Sequence, residues 1–183
     1  MVQKSIKKHL SRVIKKHKNG ALVIMRLPYK LYSEANHLSI KHLTDMGMDG
    51  VYVMLNRPFQ SAFSSLTERD VDTERLFFID AATNLARKNN KDERCIYLKP
   101  DIREITGSIA SSLKKLKSEK KFIYLDSLTT LSLYNMDSRK VSRELIKLLD
   151  EKIFLILNVA HDLSERSIAK VIGSKANEDI FIK

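Results

Sequence analysis

One segment joins an apolar run to an acid and a small hydroxyl residue: Phe122-Ile123-Tyr124-Leu125-Asp126-Ser127-Leu128-Thr129-Thr130-Leu131. A short continuous apolar run is typical of a strand that is buried on both faces of a parallel sheet. Asp126 and Ser127 would then stand at the carboxyl end of that strand. Phosphate-hydrolysing α/β domains hold a magnesium ion through water at such a position. Asp and Ser also start turns and cap helices, so both interpretations stay open here.

Similar apolar runs recur on both sides of this segment, separated by stretches in which apolar residues have helical spacing. We expect strands over 21–25, 51–55, 76–79, 95–98, 122–126, 153–157 and 180–182, with the 95–98 strand at an edge. We expect helices over 4–18, 30–46, 58–69, 101–117, 138–150 and 163–172, and Asp101 as the N-cap of the fourth. The alternation predicts a three-layer α/β fold, in which a mostly parallel sheet has helices on both faces.

Composition limits the class of protein. The chain has 183 residues, of which 43% are apolar and 30% charged, and this fits one packed domain. Its single cysteine excludes an intramolecular disulfide. No apolar run approaches the roughly 20 residues that a membrane span needs, and no apolar leader opens the chain. We therefore expect a cytoplasmic protein that is not transmembrane.

The net charge of +11 is concentrated at the N-terminus, where no acid precedes Glu34. Apolar residues at 6, 10, 13 and 14 predict an amphipathic basic helix over residues 1–19, ahead of an α/β domain over 20–183. This helix either binds nucleic acid or an anionic membrane surface, or packs on the domain with its charges in solvent. The candidate anion-binding residues are Lys4, Lys7, Lys8, Arg12, Lys15, Lys16 and Lys18.

The order of elements over about residues 20–160 resembles the KaiC-like branch of the RecA superfamily of P-loop ATPases. The segment 122–131 resembles the Walker B strand of that family and the Asp-Ser-Leu-Thr signature that follows it. Residues 50–58 and 76–80 resemble its second and third strands. The resemblance implies a RecA-like sheet.

Two departures from that family bear on activity. Active members carry a glycine-rich loop that ends in Gly-Lys-Ser/Thr after the first strand, because glycines let backbone N–H groups wrap a phosphate. Residues 26–33 contain no glycine, and they include Pro28, which has no N–H. After the second strand the family places acids that activate water, where this chain has Asn56 and Arg57. An amide and a guanidinium are both poor bases.

We therefore expect a non-catalytic RecA/KaiC-like domain, a pseudo-ATPase, that acts as a regulatory or protein-binding module. It would have no catalytic residue, no metal site and no cofactor, and its protein partner is not identified by the sequence. The first alternative is a divergent enzyme that binds ATP and Mg²⁺ through Lys30, Arg57, Asp80 and Asp126. The second is binding of nucleic acid or an anionic surface through the N-terminal helix. Remnants of a nucleotide and magnesium site would be Lys30, Ser33, Arg57, Asp80, Asp126 and Ser127.

Overall fold

The computed structural model describes residues 2–83, 93–131, 134, 136–150, 152–161 and 167–182. The helices are α1 Val2–Lys16, α2 Tyr32–Asp45, α3 Phe59–Thr67, α4 Ile102–Leu113, α5 Leu128–Leu131, α6 Ser138–Ile146 and α7 Ser167–Gly173. The strands are β1 Gly20–Leu27, β2 Asp49–Met54, β3 Leu76–Asp80, β4 Cys95–Tyr97, β5 Lys121–Asp126, β6 Ile153–Ala160 and β7 Glu178–Phe181. Two single 3-10 turns cover Tyr29–Leu31 and Thr73–Arg75.

The described strands form one seven-stranded sheet in the order β4-β3-β2-β5-β6-β1-β7. Every pair of neighbours in it is parallel, so the predicted sheet is confirmed and is more uniform than expected. The expected edge position of β4 is also confirmed. Met54 is paired with Asp80 on one side and with Asp126 on the other. The carboxyl ends of β2, β3 and β5 are therefore level.

Helices cover both faces of the sheet, as predicted. Side chains of α1, α2 and α3 pack on one face against residues such as Tyr52 and Tyr124. Those of α4 to α7 pack on the other face against residues such as Val53 and Ile123. Adjacent residues of a strand point to opposite faces, which is why each central strand contributes to both cores. All six residues of β2 are buried.

Helix α1 packs on the first core and does not stand apart from it. Ile6, Leu10, Val13 and Ile14 are each at most 4% exposed. Ser11 Oγ and His42 Nε2 are 2.8 Å apart, which ties α1 to α2 by a hydrogen bond. The predicted amphipathic helix is thus present, and its apolar residues are buried in the domain core.

Local hydrogen bonds explain where α4 begins and ends. Asp101 is its N-cap, as predicted, and accepts bonds from the backbone N–H groups of Arg103 and Glu104. The helix ends four residues before the expected boundary at 117. Asp49 Oδ2 accepts bonds from the N–H groups of Lys117 and Ser118, and these bonds hold the chain in a turn before β5.

None of the described helices is long and apolar enough to cross a bilayer.

Candidate functional site at the strand ends

The chain leaves β2 and β5 in opposite directions, although the two strands are neighbours. After β2 it passes through α3 on the first face to β3, and after β5 it passes through α5 and α6 on the second face to β6. A crevice opens outside the carboxyl ends of two parallel strands where their connections diverge, and α/β domains bind ligands there. This point of the sheet is the candidate site.

A cavity of about 370 Å³ lies at this crevice. Its walls come from the turn after β1, the first part of α2, the residues after β2 and the end of β5. The lining residues are Tyr29, Lys30, Tyr32, Ser33, Asn36, Asn56, Arg57 and Asp126. The structure thus brings together Lys30, Ser33, Arg57 and Asp126 from the predicted set.

Asp126 is 1% exposed, and its carboxylate is held by neighbouring side chains. Tyr52 Oη donates a 3.0 Å hydrogen bond to Oδ2, and Asn56 Nδ2 donates a 3.5 Å bond to Oδ1. Arg57 Nε lies 3.7 Å from Oδ2, while Nη2 of the same guanidinium donates a 2.7 Å bond to Tyr52 Oη. The Arg57 guanidinium also lies over the Tyr52 ring, 5.9 Å from its centroid. Asp126, Tyr52 and Arg57 form one connected cluster, which we call the Asp126 cluster.

Two opposing electrostatic effects act on the carboxyl group of Asp126. Burial raises the pKa of Asp126 above its usual value, and the positive charge of Arg57 opposes that rise. Burial raises the pKa of the Tyr52 phenol well above its usual range, so Tyr52 remains a hydrogen-bond donor. Among the described residues, no group of three or more His, Cys, Asp or Glu side chains could hold a metal ion.

Ser127 lies beside the cavity but is bonded to its own neighbours. Its Oγ is 2.6 Å from Thr129 Oγ1 and 3.3 Å from Tyr32 Oη, and the residue is 3% exposed. Burial raises the pKa of Tyr32 to about 12, which keeps its hydroxyl protonated at neutral pH. In this structure Ser127 therefore fixes the start of α5 and the wall residue Tyr32.

Asp80 is separate from the cavity and is 0% exposed. Its Oδ2 accepts a 2.8 Å bond from the N–H of Phe59, the first residue of α3, and a 2.6 Å bond from Thr83 Oγ1. Its Oδ1 accepts bonds from the N–H groups of Ala82 and Thr83. These four bonds hold the end of β3 and the start of α3 in place. Because Asp80 does not line the cavity, the structure does not bring it together with the predicted residues that do.

Lys30 and Ser33 are exposed and lie between the strand-end cavity and a second groove of about 550 Å³. His37 and Arg69 also line that groove. His37 Nδ1 is 2.7 Å from Arg69 Nη1, and its Nε2 is 2.8 Å from Ser65 Oγ. Burial, followed by the charge of Arg69, lowers the pKa of His37 to about 4. His37 is therefore neutral at pH 7.

A polar network next to the site was not predicted. Tyr124 Oη donates a 3.1 Å bond to Asn36 Oδ1, and Asn158 Nδ2 donates bonds to Tyr124 Oη and to Asn36 Oδ1. All three residues are at most 2% exposed. Asn158 Oδ1 has no hydrogen-bond partner within the described part of the chain. The available signal was a polar residue directly after the apolar run that ends at Leu157.

None of the seven predicted anion-binding cations lines the strand-end cavity. Six of them lie on or just after α1 with exposed side chains, and Lys7 is half-buried. Glu178 of β7 contacts two of the seven, with Oε1 2.7 Å from Lys16 Nζ and Oε2 3.9 Å from an Arg12 nitrogen. The structure therefore holds two separate candidate sites, one at the strand ends and one on α1.

Solved structures with a similar fold include a KaiC-like protein and an ATPase domain. A KaiC-like protein from the hyperthermophilic archaeon Pyrococcus horikoshii superposes with a TM-score of 0.59 and 17% identity, over 89% of this chain and 71% of that one. The chain has a RecA-like fold. The flagellar accessory protein FlaH from Methanocaldococcus jannaschii gives a TM-score of 0.58 and 14% identity over the same shares. A further solved structure, an ATPase domain, superposes with a TM-score of 0.57 and 11% identity, over 97% of this chain and 82% of that one.

Sequence comparison adds nothing to this RecA-like assignment. No family model and no curated protein matches the sequence. The identities of 11–17% to these solved structures show the fold alone. What the RecA-like domain does must therefore be argued from its own residues at the strand ends.

Proposed function

We propose that this RecA-like domain does not hydrolyse ATP and that it acts as a binding or regulatory module. The observation that carries the proposal is the pairing of Asp126 with Arg57. Asp126 stands where the resemblance places the Walker B acid, yet its charge is compensated by a guanidinium 3.7 Å away. A carboxylate that is buried and paired in this way is a poor partner for a hydrated magnesium ion.

The turn after β1 also supports the proposal. Residues 29–31 form a closed 3-10 turn, in which Leu31 N–H donates a 2.9 Å bond to the carbonyl of Pro28. A phosphate cradle needs several successive backbone N–H groups that point to one centre. Pro28 has no backbone N–H group, and the N–H of Leu31 already donates to the carbonyl of Pro28. The side chain of Tyr29, which is 76% exposed, stands at the mouth of the cavity.

Asp126 is the one carboxylate among the described residues that line the cavity. Asn56 is its nearest polar neighbour after β2, and the amide already donates to Asp126. Activation of a water molecule requires a base with free lone pairs in the correct position. The usual phosphoryl-transfer mechanism needs a free carboxylate for the metal ion, a backbone cradle for the phosphates and a base for the water molecule. In our proposal none of the three is available at the strand ends.

Calorimetric titration with ATP and Mg²⁺, paired with a phosphate-release assay, tests the proposal. We expect no phosphate release above a protein-free blank, while a hydrolysing RecA-like ATPase under the same conditions serves as the active control. Turnover that is abolished by Asp126→Asn would overturn the proposal. Saturable ATP binding without turnover, equally tight when Mg²⁺ is omitted, would indicate metal-free nucleotide binding by Lys30 and Arg57, and it would retain the loss of hydrolysis.

A further inference from the structure

The outward face of α1 carries a row of cations. Lys4, Lys8, Arg12 and Lys15 follow one another at intervals of three or four residues and are exposed. The helical period places these four side chains on one face, about 6 Å apart along the axis at a spacing of four residues. That face is opposite the buried residues of α1. Lys8, Arg12 and Lys15 are neighbours on this face, with Ser11 and Lys16 at its side.

These charges are only weakly compensated by the protein. No carboxylate lies within ion-pair distance of Lys4, Lys8 or Lys15 in the described ranges of the chain, and Arg12 reaches Glu178 only at 3.9 Å. Like charges at i and i+4 destabilise a helix, and the first turn of α1 has no acid to complement the helix dipole. A polyanion bound along this face would relieve the repulsion between the cations.

The burial of the apolar stripe distinguishes between two kinds of polyanion. A helix that binds in a membrane interface inserts its apolar side among the acyl chains. The apolar side of α1 is in the protein core, with Leu10 and Val13 each 1% exposed. Only the charged face is available to a partner. Attraction of α1 to a membrane would thus depend on charge alone, whereas charge contacts supply nearly all of the non-specific affinity for a nucleic-acid backbone.

We propose that the α1 cation face, Lys4, Lys8, Arg12 and Lys15, is a docking surface for double-stranded DNA. The face has no aromatic side chain on which an unpaired base could stack, which favours a duplex over a single strand. It is a convex helix surface, which the wide major groove of B-form DNA accommodates and the narrow major groove of A-form RNA does not. Lys and Arg side chains that reach phosphates bind without sequence preference. This inference does not rest on the proposed loss of hydrolysis.

Fluorescence anisotropy of the full chain with a labelled duplex of about 24 base pairs tests the proposal. Four phosphate contacts predict that the logarithm of the association constant falls against the logarithm of salt concentration with a slope of about −3.5. The triple variant Lys4→Gln, Lys8→Gln and Lys15→Gln removes three contacts. We expect its slope to be about −1 and its affinity at 0.1 M salt to fall by about tenfold or more.

The matched control is Lys99→Gln, Lys114→Gln and Lys175→Gln, which removes the same charge from exposed positions outside α1. We expect this control to keep the slope of the unsubstituted protein to within about one unit. Circular dichroism of both variants checks that they are folded. An equal loss of affinity in the two triple variants would overturn the proposal, because attraction would then depend on net charge alone. Tighter binding to single-stranded DNA, to double-stranded RNA or to phosphatidylserine vesicles would also overturn it.

Discussion

At the scale of single residues, the sequence does not reveal where the Arg57 side chain lies. Its side chain is 19% exposed and lies between the ring of Tyr52 and the carboxylate of Asp126. The sequence places Arg57 and Asp126 at neighbouring strand ends, because parallel strands end at the same edge. It does not show that Tyr52, five residues before Arg57, joins them. That contact depends on side-chain rotamers and on the register of β2 with β5.

Arg57→Ala leaves Asp126 as a buried charge without its cation. Removing one partner of a buried ion pair costs about 3–5 kcal/mol, and partial exposure of Arg57 lowers our expectation to about 2–3 kcal/mol at neutral pH. The pKa of Asp126 in the folded state is already raised, and it rises further without Arg57. The native variant then binds a proton more tightly than the unfolded chain does. Its stability should therefore fall as the pH rises through the folded-state pKa.

Urea unfolding at pH 5 and pH 8 measures this effect. We expect Arg57→Ala to lose more stability at pH 8, and the added substitution Asp126→Asn to recover most of the difference between the two pH values. An equal loss at both pH values, unchanged by Asp126→Asn, would show that Arg57 acts through packing and not through charge.

At the scale of elements, apolar runs and their spacing are sufficient to predict all seven strands and six of the helices. Each strand run is bounded by Gly, Pro, Asn or charged residues, and these signals are local. The structure adds α5, Leu128–Leu131, which is too short to show a helical period. It also adds the 3-10 turns, whose dihedral angles depend on one or two residues. Residues 81–94 are a polar interruption of the pattern, and most of them, 84–92, lie outside the described residues.

Two glycines in different elements provide a matched pair of substitutions. A Cβ atom at Gly50 of β2 would lie 2.2 Å from the Phe122 ring, whereas one at Gly107 of α4 would meet nothing within 4 Å. Overpacking a buried site costs about 1–3 kcal/mol, so Gly50→Ala should be destabilising. Gly107→Ala should stabilise by about 0.5–1 kcal/mol, because alanine is the better helix former. Denaturant midpoints measure both, and a neutral Gly50→Ala would show that Phe122 can move aside.

At the scale of the whole molecule, α1 and the sheet should unfold together. Leu10 of α1 is 1% exposed, and Leu10→Ala should cost about 2–5 kcal/mol, while Lys8→Ala should change stability by about 0.5 kcal/mol or less. The chain has no Trp and α1 has no Tyr, so tyrosine fluorescence reports the rest of the domain. Far-UV circular dichroism and tyrosine fluorescence should give one coincident transition in Leu10→Ala. Earlier loss of the helical signal would instead show that residues 1–19 form a separate unit.

The strand order has a consequence for synthesis of the protein. β6 lies between β1 and β5, and it pairs with both along almost their whole lengths. The turn after β1 and the carboxylate of Asp126 therefore reach their final separation only when residues 153–160 are in place. Pairing between segments so distant in sequence is slow, because the chain must first lose the entropy of closing long loops. On the ribosome, the nascent chain can assemble the strand-end cavity only after residue 160 has emerged from the exit tunnel.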